Sequence, residues 1–411
     1  MKLFGTALAL AFSMTLAGTA SALSSDAAVE AAQMHLYSGK LADGERVLAA
    51  MVAADSDDAE ARFALGGVQF VRAVERLAQD FYRHGLEPPE HVMIPLFRLP
   101  LPRNPSPEPL TYEALRTILA TFVQNLEAAE TTLAGMGDGD VKLPLHLGRV
   151  KLDLDGDGTL SEEETLWRIF GHLAGRRNLD AEEGEAFMIG LDRGDVDWLR
   201  GYSHVLMAFA EFLLAHDFSA TFDHSFHLLF PRADLPYSGA VTGEKAVSRD
   251  IPAIADVIAF VHTIRWPVAD ASRRQAVRSH LKAVAAASRE SWTAILAETD
   301  DDHEWVPNPN QTSLFPGLNV TEERVAIWLA AIDEMEAVLD GRKLLPHWRY
   351  EKGIDLKAFF ETPQTFDLVL MLTGSGAVPF LADGEITSAE TWDAIDSAFG
   401  GDFFSFAAWF N

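Results

Sequence analysis

Residues 198–214 read Trp-Leu-Arg-Gly-Tyr-Ser-His-Val-Leu-Met-Ala-Phe-Ala-Glu-Phe-Leu-Leu, and this run decides the fold class. Trp198, Tyr202, Val205, Phe209 and Phe212 recur every three or four places, so a helix carries them on one face. A half-buried strand needs apolar and polar residues in alternation, and the run has none. The same helical period recurs on both sides. Thr111–Leu133 reads as a long amphipathic helix, capped by Thr111 and ended by Gly135-Met136-Gly137-Asp138-Gly139-Asp140. Ile251–Ile264 and Ser272–Ala297 continue the pattern. Thr321–Leu339 opens with Thr321-Glu322-Glu323-Arg324 and stops at Gly341. Strict alternation is nearly absent elsewhere. A mainly α fold with few strands is therefore expected.

Composition narrows the class. The chain has 411 residues, 48% of them hydrophobic, enough for one large core or two smaller ones. It contains no cysteine, which excludes disulfides, thiolate metal sites and cysteine nucleophiles. Acidic residues number 61 against 33 basic, a net charge of -28. Such a surface repels phosphate backbones and anionic lipid, so nucleic acid is not an expected partner. Residues 1–22 fit a secretory signal peptide: Lys2, an apolar run over 4–16, then Ala20-Ser21-Ala22 as the small-residue cleavage site. Cleavage near Ala22 leaves a chain beginning at Leu23, periplasmic or secreted from a bacterium. No later segment reaches 18 apolar residues without a charge, so no membrane span is expected.

Three segments follow the signal. Residues 23–86 are helical in period, and Tyr37–Gln69 resembles a tetratricopeptide repeat. Gly44, Leu48 and Met51 take its small-large-large places, and Asp55–Ala61 leads into Leu65-Gly66. Only one repeat and the first helix of a second are present, and an ordinary helical hairpin fits the same residues. Either form offers a surface for a protein partner. Residues 87–110 hold eight of the 19 prolines together with Met93, Ile94, Leu96, Phe97, Leu99 and Leu101. Proline removes ladder donors and fixes φ, so an extended connector lying against the body is expected. Residues 111–411 then form a larger helical domain. In it, residues 299–320 read as a long loop, and Phe403-Phe404-Ser405-Phe406-Ala407-Ala408-Trp409-Phe410 as an aromatic end docked on the core.

Residues 153–164 read Asp-Leu-Asp-Gly-Asp-Gly-Thr-Leu-Ser-Glu-Glu-Glu. Carboxylates stand at the first, third, fifth and twelfth places and glycine at the sixth. Few short peptides supply so many oxygens to one side of a turn. The segment resembles the calcium loop of an EF-hand, with the hand spanning residues 143–175. The resemblance implies Ca2+ as the bound ion. Asp153, Asp155 and Asp157 would give side-chain oxygens, Thr159 its backbone carbonyl, Ser161 a water-mediated contact, and Glu164 both carboxylate oxygens. Gly158 permits the sharp central turn. Ser161-Glu162-Glu163-Glu164 is also a capping box for an outgoing helix carrying Leu166, Ile169, Phe170 and Leu173.

The entering segment, Leu143–Leu152, is a weaker helix, with Pro144 near its start and Gly148 in its middle. This departure from the EF-hand pattern favours a fixed structural site over the two-helix opening of a calcium sensor. Asp383–Glu390 mimics the second half of such a loop, but Pro379 and Leu381 stand where its first acids belong. Two expectations remain open there: Ile386 as a vestigial partner of Leu160, or Thr387–Glu390 as a helix cap.

A second chemistry is weighed beside the first. His204, His216, Asp223, His224 and His227 fall within 24 residues. His224 and His227 have helical spacing for one metal. Glu211 sits in an apolar run and needs a partner, Arg200 or His204 by spacing. The alternative is a buried polar pair with core and surface histidines. Asp300-Asp301-Asp302-His303-Glu304 offers cation ligands or simply a solvated helix end. Residues 198–204 and 223–231, taken with the calcium loop, resemble uncharacterised secreted bacterial proteins carrying one EF-hand, over about residue 140 to Asn411. That resemblance implies calcium binding and no reaction.

The first functional expectation is a non-enzymatic calcium-binding protein with a structural or interaction role. The alternatives are an acid/base or metal enzyme near His204, Glu211, His224 and His227, and a calcium-dependent envelope adaptor using the N-terminal hairpin.

Overall fold

The computed structural model describes residues 27–87, 95–137, 139–173, 180–233, 235, 250–314 and 320–399. The expected signal peptide over 1–22 and the aromatic end over 403–410 lie outside these residues. The fold is mainly α, with 14 helices and seven short strands among the described residues. The N-terminal part comprises α1 (residues 27–37), α2 (Leu41–Ala54) and α3 (Ala59–Arg83). Next come α4 (Tyr112–Ala134), β1 (Leu143–His146), α5 (Leu166–Leu173), α6 (Ala181–Ala186) and β2 (Met188–Leu191). The centre holds α7 (Arg193–Leu214), α8 (Ser219–Ser225), α9 (Asp250–Thr263), β3 (Arg265–Trp266) and α10 (Ala271–Ile295). After α11 (Glu322–Leu339) the chain forms β4 (Leu345–His347), β5 (Tyr350–Ile354), α12 (Leu356–Glu361), β6 (Phe366–Asp367), α13 (Leu368–Thr373), β7 (Leu381–Ala382) and α14 (Ala389–Ala398).

Short polar side chains start the long helices. Asp58 accepts from the Ala61 N–H, Thr111 from Ala114, Asp270 from Ser272 and Arg273, and Thr321 from Arg324. Each bond satisfies a donor that the first helical turn leaves orphaned. Ser388 caps α14 through the Thr391 N–H, so the Thr387–Glu390 stretch does start a helix, with Ser388 as the cap. Ile386 forms a parallel bridge with Leu344 instead of pairing with Leu160. The vestigial pairing is therefore corrected: each residue has another neighbour, since Leu160 lies against Gly39.

The long helices pack in succession: α2 on α3, α3 on α4, α4 on α7, α7 on α10, and α10 on α11. The central α7 thus lies between two helices and buries two stripes. This corrects the single aromatic face read from residues 198–214. Phe209 is 45% exposed, while Gly201, Ser203, Ala208 and Ala210 are buried. Small residues let α7 and α10 approach closely. A Cβ on Gly194 would stand 2.6 Å from Ile295 Cγ1, and the buried Ser291 hydroxyl donates to the Gly194 carbonyl at 2.9 Å. A helix sandwiched on both sides cannot follow the one-stripe pattern of a surface helix.

The main apolar core runs from Ala28 to Phe399, and a smaller one gathers Ala208, Val277, Leu339, Phe359, Phe360 and Phe380. The proline-rich connector contributes to the main core through buried Leu96, Phe97 and Leu99. Phe97 stacks on Phe81 of α3 at 5.3 Å between ring centres and meets Phe226 edge-on at 5.8 Å. Burying one such ring stabilises the fold by roughly 1.5–3 kcal/mol.

The segment at 143–152 differs from the weak helix expected there. Its start is β1, paired antiparallel with β2 so that Leu143 faces Leu191 and Leu145 faces Ile189. Leu143, Leu145 and Leu147 are buried and alternate with half-buried Pro144 and His146. The period is two, and Pro144 lacks the N–H that a continuing helix needs.

Candidate metal centre

The loop at 153–164 is closed at its base by backbone pairing. Lys151 bridges Thr165 in antiparallel fashion, Leu152 N–H donates to the Glu164 carbonyl at 2.9 Å, and Leu166 N–H donates to Val150 at 2.9 Å. Only the outgoing side continues as a helix, α5. Gly156 and Gly158 both have positive φ, +75° and +77°, a conformation in which a side chain is strained.

The loop's own N–H groups fix its acids. Asp153 Oδ1 accepts from Gly156 at 2.9 Å and Oδ2 from Gly158 at 3.1 Å. Asp155 accepts from Asp157 at 3.1 Å, and Asp157 from Thr159 at 2.6 Å. Glu164 is 4% exposed and reaches across the loop: Oε1 accepts from Leu154 at 2.9 Å and Oε2 from Ser161 at 2.8 Å. That second bond is one half of the expected capping box, although α5 begins later, at Leu166.

One oxygen from each of Asp153, Asp155 and Glu164 lies within 4.8 Å of the others. Ligands about 2.3–2.6 Å from one calcium ion stand at such separations. Asp157, Thr159 and Ser161 lie on the exposed side of the loop. Partial burial, then the charges of Asp157, Glu164 and Asp153, push the Asp155 carboxyl up against the opposing Asp157 N–H. A cation among these oxygens would relieve that repulsion. The donor set is all oxygen, as a hard divalent ion requires.

Helix α3 lies against the loop. Glu75 Oε1 accepts from the Asp153 N–H at 3.0 Å, and Gln79 Nε2 donates to the Asp153 carbonyl at 2.7 Å. Burial raises the Glu75 carboxyl to about 7, with the Asp153 N–H opposing that rise.

A second carboxylate group was not legible in the sequence. Asp192, Glu298 and Glu304 bring one oxygen each within 4.8 Å of one another. Asp195 is buried beside them and accepts from the Asp192 N–H at 2.9 Å, completing the capping box of α7. Glu304 is 2% exposed and accepts from Asp302 N–H at 3.0 Å; Glu298 accepts from Gln311 at 3.1 Å. Burial, then the charge of Asp192, raises both Asp195 and Glu298. Burial raises Glu304 to about 7. Lys142 bonds Asp300 and Asp302 at the exposed rim. The Asp300–Glu304 run was one signal of this group. Its partners at 192 and 195 lie before the run from Trp198 that the sequence marked as helical.

The histidine candidates do not converge. Among the described residues, no set of three or more possible ligands joins His204, Glu211, His224 and His227. His204 Nδ1 lies 3.0 Å from His280 Nδ1, and its Nε2 lies 3.6 Å from Glu130. Burial, then the His204 charge, pushes His280 down to about 4. Glu211 pairs with Arg273 of α10 at 2.8 Å, which corrects the partners Arg200 and His204 read from spacing. Arg200 instead bonds Asp197, Glu130 and Glu290. Helical spacing supplied candidates from α7 alone, while α10 packs along the same face. His216 is fully buried and donates from Nδ1 to the Phe212 carbonyl at 2.7 Å. Asp223 and His224 are half-buried on α8, and His227 lies on the following 3-10 turn.

Compared with known proteins, the chain matches no family model, no curated protein and no solved structure.

Proposed function

We propose that the loop at 153–164 binds one calcium ion and that the protein is a non-enzymatic, extracytoplasmic calcium-binding protein with a structural or interaction role. The observation that carries this reading is the convergence of Asp153, Asp155 and Glu164 around a turn with positive φ at Gly156 and Gly158. Asp157, the Thr159 carbonyl and a water on Ser161 would complete the sphere in the EF-hand pattern. The ion would neutralise the loop's acids and order them. A fixed site is favoured over a switch because the loop is entered from a strand and a β-like base, so no pair of helices stands ready to open.

The extracytoplasmic placement rests on Lys2, the apolar run over 4–16 and Ala20-Ser21-Ala22. In that compartment even a loop of roughly 10⁻⁴–10⁻³ M affinity fills. No helix among the described residues is long and apolar enough to cross a membrane.

Calcium titration followed by thermal melting, with and without chelator, tests the proposal. Calcium is expected to raise the melting temperature, and Asp153→Ala to abolish the rise, while His224→Ala leaves it intact. Equal melting temperatures in calcium and chelator would remove the proposal.

A further inference from the structure

The loop lacks the helix that normally enters a calcium hand, yet its first acid is not left unsupported. Asp153 is held on both sides of its backbone by α3. Its N–H donates to Glu75 Oε1 at 3.0 Å, and its carbonyl accepts from Gln79 Nε2 at 2.7 Å. Glu75 and Gln79 are four residues apart, one turn of α3, so both face the loop. The Gln79 side chain also lies behind the turn: a Cβ on Gly156 would stand 3.6 Å from Gln79 Cγ.

The loop and its entering base also touch the first two helices. The Leu160 side chain covers Gly39, in the turn between α1 and α2. Lys151 N–H donates to the Leu36 carbonyl at 2.9 Å, at the end of α1. The loop is therefore wedged between the α1–α2 turn and α3, segments more than 60 residues upstream of it.

We infer that α3 takes the place of the missing entering helix: Glu75 and Gln79 are positioning residues that hold Asp153 in ligand geometry, and calcium in the loop is thereby coupled to the order of α1–α3. This rests on the calcium proposal above. The physical ground is that a ligand's outer partners fix its orientation, and losing one typically weakens metal binding 10–100-fold. Whatever orders the loop must also restrain what the loop is bonded to. The N-terminal helices are then the part of the molecule whose order calcium supports.

Calorimetric calcium titration and amide hydrogen exchange on the full protein test this. Gln79→Met keeps the length of the side chain and removes its donor. Affinity should fall about tenfold or more, with the calcium-free melting temperature unchanged. Glu75→Leu should weaken binding similarly, and Glu75→Gln, which keeps an acceptor for the Asp153 N–H, should restore most of it. Calcium should slow exchange along residues 72–83 in the unaltered protein and not in Gln79→Met. Three results overturn the inference alone: calcium uptake by the unaltered protein with unaffected Gln79→Met, unchanged exchange in α3, or Glu75→Gln as damaging as Glu75→Leu. Absence of calcium uptake by the unaltered protein overturns the calcium proposal itself, and this inference with it.

Discussion

In the loop at 153–164, three converging carboxylates come from twelve consecutive residues, and each accepts N–H groups of that same loop. In the cluster of Asp192, Asp195, Glu298 and Glu304, the acids come from the start of α7 and the segment after α10, and Glu304 bridges Gly190 of β2. Backbone N–H donation favours a carboxylate's ionised form, and burial disfavours it. The first site is thus a local loop whose acids are held by its own N–H groups, with Glu164 buried and Asp157 exposed. The second is pushed toward sharing protons, with Lys142 held at its rim. Backbone N–H groups reach acids in both places, and the depth of burial and the number of neighbouring acids set them apart.

The largest expected effect lies in the buried cluster. The Glu304 carboxyl ordinarily titrates near 4.5 and is raised to about 7 in the fold. Between those values the folded protein keeps a proton that the unfolded chain has released. Its contribution is therefore most favourable below about 4.5 and diminishes as pH rises through 7. Asp192, Asp195 and Glu298 are raised as well and act with the same sign. Urea unfolding in chelator at pH 4.5 and 7 should show a loss on the order of 3 kcal/mol from Glu304. Glu304→Gln should flatten that slope. An unchanged slope in this variant would dissolve the contrast between the two sites.

Next in size is the calcium term. At a hundredfold excess over its dissociation constant, calcium should add about 2.7 kcal/mol to the stability. Glu164→Ala should lose this gain and Glu304→Gln should keep it, as read by melting in calcium against chelator.

Gly158→Ala forces a side chain into φ +77° and should cost about 1–2 kcal/mol by urea unfolding. A neutral result would mean that the loop's turn is not fixed by its glycines. The smallest effect is at Lys142, whose side chain is half exposed: Lys142→Ala should change stability by less than about 1 kcal/mol, and added salt should erase the difference.

Much of this was legible in the chain. Helical period placed α4, α7, α9, α10 and α11, because each of these helices carries its own apolar spacing. Thr111 and Thr321 are caps in the structure as in the sequence. The convergence of Asp153, Asp155 and Glu164 and the turn at Gly156 and Gly158 were legible for the same reason: they lie within one short stretch. The misses share a different cause. The strand at Leu143–His146 depends on β2, more than 40 residues later. Glu211 found Arg273 because α10 packs on α7, and no spacing along α7 reports that contact.

By itself the sequence determined the mainly helical class and the turn that gathers Asp153, Asp155 and Glu164, since both arise from interactions among residues a few places apart. Only the tertiary structure decided that α7 would be buried on two sides, that α3 would brace Asp153, and that Asp192 would meet Glu298 and Glu304. Those outcomes follow from which helix faces bury their apolar surface against one another. That choice belongs to the whole core and to no local segment.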